Sequence, residues 1–337
     1  YESFDPILRF FNEAAIDPAV EEIYTTLYRI ASDSRIAQAL ATAAKNGKKV
    51  NVFVELKARF DEANNIHWAR RMKEQGVKIT YSIPNLKVHA KIALVKRAGG
   101  RESALFGTGN LNEKTAKVYT DYFLMTSNKL LTNDVRMLFE FLPARRKPNS
   151  ANELSFEHLL IAQFNLKHTF LSLIDQTILA AKTGAPAAIK IKLNNLEEES
   201  LINKLYEASQ AGVRLQLLVR GICRLKPQVP GLSENIVVKR IVGRYLEHGR
   251  IFIFQHKTST SVYLGSSDWM NRNIYRRIVT CFPMLNQVLA IQVQELSDIQ
   301  FTDDCEATLL NDRGQNQAIE TRLGNLSQQQ ILDYLKR

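Results

Sequence analysis

Two histidines, each followed two residues later by a cation and then by an apolar run, carry the most chemistry in this chain. The first stands in Val88-His89-Ala90-Lys91-Ile92-Ala93-Leu94-Val95, with Gly107-Thr108-Gly109-Asn110 beyond it. The second stands in Glu247-His248-Gly249-Arg250-Ile251-Phe252-Ile253-Phe254, with Gly265-Ser266-Ser267-Asp268 beyond it. From histidine to the last residue of the glycine motif, the spacing agrees between the copies to within one residue. A pleated strand alternates its side chains, so His89 and Lys91 are expected side by side on one face. Near neutral pH a histidine can attack as the unprotonated imidazole or donate a proton as the imidazolium. A lysine or arginine beside it supplies charge where the oxygens of a phosphoryl group sit. Asn110 and Asp268 could orient the two rings by accepting from the remaining imidazole N–H. The constellation suits transfer at phosphorus, with the two histidines dividing the tasks.

The elements around each histidine also occur twice. A helix from about Asp33 to Asn46 stops at Gly47 and runs into the apolar strand Val50 to Glu55. The helix carrying Glu199-Ser200-Leu201-Ile202-Asn203-Lys204-Leu205 stops at Gly212 and runs into the strand ending at Val219. Apolar residues at helical spacing, a terminal glycine and a following apolar run predict strand-helix-strand in each half. In this alignment Arg29 stands against Asn194. An opening helix is expected from Phe4 to Glu22, a strand over Ile23 to Leu27, a helix from Asn65 to Gln75 and a strand from Val77 to Ser82. Thr132-Asn133-Asp134 is expected to cap a helix reaching Leu142. Pro143-Ala144-Arg145-Arg146-Lys147-Pro148-Asn149-Ser150 has two prolines, three cations and no apolar period, and reads as the connection between halves. The predicted domains are therefore 1–146 and 147–337. The second opens with a helix from His168 to Lys182 and strands over Ala188 to Leu193 and Ile236 to Val242. From Thr302 the chain turns polar and ends in a short helix near Ile331 to Leu335, with no chemistry legible there.

At 337 residues and 45% apolar composition the chain can fill two ordinary cores. No apolar run approaches the roughly 18 residues that cross a bilayer, and no signal peptide is expected at the start. The three cysteines, Cys223, Cys281 and Cys305, form no CxxC pair, which suggests a reducing compartment and no zinc. A net charge of +11 calls for an anionic partner. There is no GxxxxGK[ST] loop, and Gly107-x-Gly109 lacks the third glycine of a dinucleotide fingerprint. His67, His158, His168 and His256 have no matching constellation.

The duplicated histidine and glycine motifs resemble the phospholipase D superfamily, although the aspartate of its motif is absent after Lys91. Longer stretches are similar to one family within it. Val54-Glu55-Leu56, Ala58-Arg59-Phe60-Asp61-Glu62, Asn112-Glu113-Lys114-Thr115-Ala116 and Tyr119-Thr120-Asp121 look like the long-chain polyphosphate kinases. So do Lys192-Leu193-Asn194-Asn195, Val219-Arg220-Gly221, Arg244-Tyr245-Leu246-Glu247-His248 and Asp268-Trp269-Met270 with Arg272-Asn273. The similarity covers roughly residues 1 to 300 and only the family's two carboxyl-terminal domains. It implies an α/β protein of two phospholipase D-like domains, each a mixed β-sheet flanked by helices, related by internal duplication.

That resemblance implies a phosphotransferase that moves the terminal phosphoryl group of ATP, reversibly, onto inorganic polyphosphate through a phosphohistidine. His89 matches the phosphorylated histidine and His248 the second active-site histidine, also a nucleotide contact, with Lys91 beside the first. Tyr119 and Arg220 match other contacts to ATP or ADP. Arg29 and Arg59 match positions associated with magnesium. An arginine has no lone pair for a cation, so both are read as binding phosphate oxygens that Mg2+ also touches. Lys91, Asn110, Arg250 and Arg272 complete the expected phosphate-binding set. The partners implied are ATP and polyphosphate, with no nucleic acid. A cytoplasmic location, peripheral contact with the inner membrane and homo-oligomers in the presence of the amino-terminal domains are implied as well. Two other readings stay open: a phospholipase D-like phosphodiesterase or nuclease using the same histidines, and a polyphosphate-binding fragment without catalysis. The acids that the family carries after Asn273 are missing from Ile274-Tyr275-Arg276-Arg277-Ile278-Val279.

Overall fold

The computed structural model describes residues 1–56, 61–82, 86–148 and 154–336. The chain divides into two compact units. The first comprises Glu2–Asn165 and Tyr275–Phe282, and the second Tyr1, Leu166–Ile274 and Pro283–Arg337.

In the first unit a sheet runs in the order Lys78–Tyr81, Lys49–Val54, Val20–Leu27, Ile92–Arg97, Arg101–Gly107, Phe123–Thr126. The first three strands are parallel and the rest join antiparallel. Helices Arg35–Lys45 and Glu62–Glu74 make the crossovers that parallel strands require. The first of them forms because Ile36, Ala37, Ala39, Leu40 and Ala43 line one buried stripe and the Ser34 side chain accepts from Ala37 N at its start. Ile92 to Val95 are all buried, which is why that strand reads as an unbroken apolar run.

The second unit repeats this plan. Ile236–Ile241, Arg214–Val219, Ala187–Leu193, Arg250–His256 and Ser259–Gly265 lie in that order with the same parallel and antiparallel senses. Ala307–Leu310 and Asn316–Ala318 extend one edge. The register fixes the correspondence. Leu27 lies opposite Val54 as Leu193 lies opposite Val219, and Thr25 opposite Ala93 while Lys192 lies opposite Ile251. Tyr28, rather than Arg29, is thus the counterpart of Asn194, one residue away from the sequence alignment. Each half therefore has the mixed α/β sheet expected of it.

Three local expectations shift for physical reasons. The opening helix is Asp5–Ile16 and the strand already starts at Val20. Asp17 precedes Pro18, and its ψ of 116° is the extended conformation that a following proline favours. The helix Lys129–Phe141 is capped by Asn128, whose side chain accepts from Leu130 N, not by Thr132-Asn133-Asp134. Asp134 instead faces inward and accepts from His158 N and Leu159 N, both at 2.8 Å. That tie, with Ile161 paired to Thr280, keeps the segment up to Asn165 in the first unit. The chain passes to the second unit at Asn165/Leu166.

Candidate active site

In the first unit the backbone at His89 is held from several sides. His89 N and Ala90 N both donate to Ile278 O, at 2.8 and 3.0 Å. The Thr26 hydroxyl donates to Ala90 O at 2.7 Å, and the buried Glu55 carboxylate accepts from Val88 N at 3.2 Å. Lys91 precedes the strand proper, which begins at Ile92. Its side chain is 2% exposed and its ammonium donates to His89 O at 2.6 Å. The structure therefore brings the expected pair together, but through the histidine's own carbonyl and ahead of the strand, not through the pleat. Tyr28 completes the group: its ring meets the His89 ring edge-on at 4.6 Å between centroids, and Lys91 Nζ lies 5.1 Å from its centre.

The loop after the first glycine motif is built to bring its backbone close. A Cβ on Gly109 would fall 2.0 Å from Asp121 Oδ2, and Thr108 donates to Asp121 Oδ1 at 2.6 Å. Asn110 follows, with its Oδ1 enclosed and without a hydrogen-bond partner among the described residues. Glu113 reaches across to the start of helix Arg35–Lys45, where its Oε1 accepts from Arg35 N at 2.8 Å and Ile36 N at 3.2 Å. A carboxylate there satisfies helix-end donors and meets the positive end of the dipole. Asn112 donates to Arg29 O at 3.3 Å, tying the loop to the end of the strand Val20–Leu27. Arg29 is one-third exposed and its Nε lies 3.4 Å from Asp61 Oδ2. Tyr119 is half-buried in the short strand Tyr119–Thr120. Arg59 lies outside the described residues.

The second unit uses the same positions differently. Arg250 is buried and forks onto Asp268, Nε to Oδ1 at 3.2 Å and Nη2 to Oδ2 at 3.4 Å. Its remaining nitrogen, Nη1, donates to His248 O at 2.9 Å and stands 3.2 Å from Nε2 of the His248 ring. The expectation that Asp268 meets the ring directly is thus replaced: the carboxylate holds the arginine, and the arginine stands against the imidazole. Burial alone would raise the Asp268 carboxyl, but the Arg250 charge and hydrogen bonds, with the Asn194 amide, hold it below the usual range. Asn194 donates to His248 O at 3.2 Å and accepts from Arg220 Nε at 3.0 Å. Arg220 shares a small recess with Lys192, Leu193 and Glu247 at the carboxyl ends of the parallel strands, where ligands of open α/β sheets bind. Arg272 is exposed on the short helix Asn271–Arg276.

Sequence reasoning passed over Tyr28 and the buried pair Lys192–Glu247, whose Nζ and Oε2 are 2.5 Å apart. The usable signal for the pair was charge within two largely apolar stretches, Lys190 and Lys192 in Ala187–Leu193 and Glu247 and Arg250 in Tyr245 to Phe254. Tyr28 carries no such signal, since an aromatic at a strand end is ordinary. Among the described residues no group of three or more His, Cys, Asp or Glu side chains is gathered to hold a metal ion. Arg29 itself offers a cation no lone pair, and the carboxylate beside it is that of Asp61. No helix among the described residues is long and apolar enough to cross a membrane.

The duplicated mixed sheet, with a histidine and a cation at the head of the equivalent strand in each half, defines the phospholipase D-like class of α/β proteins. A phosphatidylserine synthase from Haemophilus influenzae shares that fold at a TM-score of 0.62 and 12% identity, over 98% of this chain and 91% of that one. The family is narrower. The model of "Polyphosphate kinase C-terminal domain 1" matches residues 1–148 and that of "Polyphosphate kinase C-terminal domain 2" residues 159–330. The chain belongs to the polyphosphate kinase family. Polyphosphate kinases from Yersinia pestis and Escherichia coli K12 are each 42% identical over 100% of this chain and 49% of their own length. The polyphosphate kinase of Porphyromonas gingivalis superposes with a TM-score of 0.90 at 41% identity, covering 100% of this chain and 51% of that one. The chain spans about half the length of the curated relatives it matches.

Proposed function

We propose that this chain transfers the terminal phosphoryl group of ATP to inorganic polyphosphate, reversibly, with His89 as the phosphorylated residue. The observation that supports this most is family membership across both halves, together with a histidine whose backbone is fixed and whose neighbour Lys91 is buried against it. In the forward step the unprotonated imidazole attacks the γ-phosphorus, an N–P bond forms and the bond to the β–γ bridging oxygen breaks, releasing ADP. A terminal oxygen of polyphosphate then attacks the same phosphorus, the N–P bond breaks, and the chain grows by one phosphate. The Lys91 ammonium stabilises charge on the transferred group. His248, with Arg250 at its ring, serves as the second histidine of the reaction, supplying or receiving the proton. Tyr119 and Arg220 contact the nucleotide. Arg29, Arg59, Asn110, Arg250 and Arg272 neutralise or hydrogen-bond phosphate oxygens, with Arg250 acting under the constraint of its bond to Asp268. Magnesium enters as the counter-ion of ATP, that is, as part of the substrate.

On this reading the net charge of +11 serves a polyanionic substrate. The reaction belongs to the cytoplasm, where ATP is, with the basic surface open to peripheral contact with an anionic membrane. Self-association is expected of this chain when the half present in its longer relatives is joined to it. The test is incubation with γ-labelled ATP and magnesium. Acid-labile, alkali-stable label on the chain that disappears in His89→Ala supports the proposal. Polyphosphate binding without any label, in this chain and in one extended by the relatives' other half, overturns it in favour of a binding module.

A further inference from the structure

The polar tail of the chain, in which sequence analysis finds no chemistry, reaches the residue beside His248. Glu247 is 4% exposed, and its carboxylate takes four donors. Lys192 Nζ and Gln300 Nε2 donate to Oε2 at 2.5 and 2.8 Å. The Tyr1 hydroxyl and Gln328 Nε2 donate to Oε1 at 3.1 and 2.7 Å. Gln328 also pairs with the backbone of Tyr245 in both directions, accepting from its N and donating to its O, each at 2.9 Å. Gln300 lies on the helix Gln287–Thr302 and Gln328 on the helix Ser327–Tyr334, both with buried side chains.

Seen along the backbone, His248 is clamped on two sides. Its carbonyl is held by Asn194 and Arg250, and ahead of it Glu247 is held by Gln300 and Gln328 and Tyr245 by Gln328. At the same positions the first half carries Thr26 and Val88 in place of Lys192 and Glu247, and the approach to His89 is held there by Glu55 on Val88 N, with no glutamine among the described contacts. A buried carboxylate is costly unless its oxygens are fully met by donors, so these glutamines secure both the charge and the path of the chain into His248.

We propose that Gln300 and Gln328 are positioning residues for His248, acting through Glu247 and the backbone of Tyr245. The inference rests on the functional reading of His248 given above, and its test separates the two. Chains with labelled histidine rings are compared by NMR as unsubstituted protein, Gln328→Met, Gln300→Met and, as a control on the outer face of the same helix, Gln329→Met. His248→Gln assigns the His248 signals. The expected result is that the ring signals of His248 shift or broaden in both buried variants while those of His89 stay in place, and that Gln329→Met changes neither. Turnover in the two buried variants is expected to fall roughly 10-fold to 100-fold, with a smaller change in KM for ATP, as misplacement of a reacting group does. Unchanged His248 signals in folded Gln328→Met and Gln300→Met, with only a lowered melting temperature, would overturn the proposal and leave both glutamines structural. Should the unsubstituted chain transfer no phosphoryl group, the functional reading falls, and the ring signals alone decide the inference.

Discussion

The two half-sites share a backbone and differ in charge. In the first, Lys91 follows His89 and the equivalent of the aspartate is the neutral Asn110; in the second, Arg250 follows His248 and is forked by Asp268. An arginine held at two atoms by a buried carboxylate is committed to geometry, since its planar donors are fixed in direction. A lysine is a compact point charge that can follow a phosphoryl group. The difference teaches that duplication kept the positions while the side chains diverged, and on the proposed function the halves take separate work: a nucleophile with its cation in one, a fixed and oriented histidine in the other.

The largest expected effect follows from that division. His89→Gln removes the covalent label altogether, because no other group in the chain takes its place in the N–P bond. His248→Gln slows transfer by roughly 10²- to 10⁴-fold, the range for loss of a proton donor or acceptor, yet leaves slow labelling of His89 detectable. Equal and complete loss of label in both variants would break the comparison, since it would make both histidines indispensable to the first step.

Next in size is the polar cluster peculiar to the second half. Lys192→Met leaves Glu247 buried without its cation and should cost about 3–5 kcal/mol. Thr26→Val at the corresponding position of the first half should cost about 1–2 kcal/mol, the neutral hydrogen bonds to Ala90 O and from Ile92 N. Urea unfolding of the two variants compares them directly, and the double variant Lys192→Met with Glu247→Leu should recover much of the loss. Equal costs for the two single substitutions would show that the cluster is not a special feature of the second half.

A smaller contrast concerns acid. The Asp268 carboxyl is lowered in the folded protein, so its contribution to stability is fully present above the ordinary aspartate value of about 3.9 and is lost as pH falls through the lower folded value. Unfolding midpoints of the second half should therefore drop on acidification below about pH 4, and Asp268→Asn should flatten that part of the profile at the expense of stability at neutral pH. The converse change, Asn110→Asp, places a carboxylate in competition with phosphoryl oxygens for the first half's cation. It should slow labelling of His89 by about tenfold, equivalent to 1.4 kcal/mol in the barrier.

How much of this was legible beforehand depends on whether local or distant residues set each feature. The duplication, the apolar strand after each histidine and the helices ended by Gly47 and Gly212 depend on nearby residues and could be read directly. The pairing of His89 with Lys91 was expected from the pleat, yet it is made through the histidine's carbonyl ahead of the strand Ile92–Arg97. By contrast, the fork between Arg250 and Asp268 joins strand to loop, and the hold of Gln328 on Glu247 joins residues far apart in the chain. Neither leaves a periodic trace. The cap of Lys129–Phe141 was missed because Thr132, Asn133 and Asp134 have cap-forming side chains, while the turn in fact begins at Asn128. The one-residue displacement that puts Tyr28 opposite Asn194 is visible only in the strand register.

Tyr28 supplies the finest test of the difference between the halves. Its ring touches His89 edge-on and lies under the Lys91 ammonium, whereas Asn194 in the second half binds by hydrogen bonds to the carbonyl of His248 and to Arg220. A ring facing a desolvated cation is worth up to about 2 kcal/mol, and most of that belongs to the π face, not to the hydroxyl. Tyr28→Phe should therefore label His89 at nearly the unsubstituted rate. Tyr28→Asn, which grafts the second half's residue onto the first, should slow labelling by roughly 5-fold to 30-fold, the equivalent of 1–2 kcal/mol. If phenylalanine proves as damaging as asparagine, the hydroxyl rather than the ring is what His89 and Lys91 need, and the halves differ less than their side chains suggest.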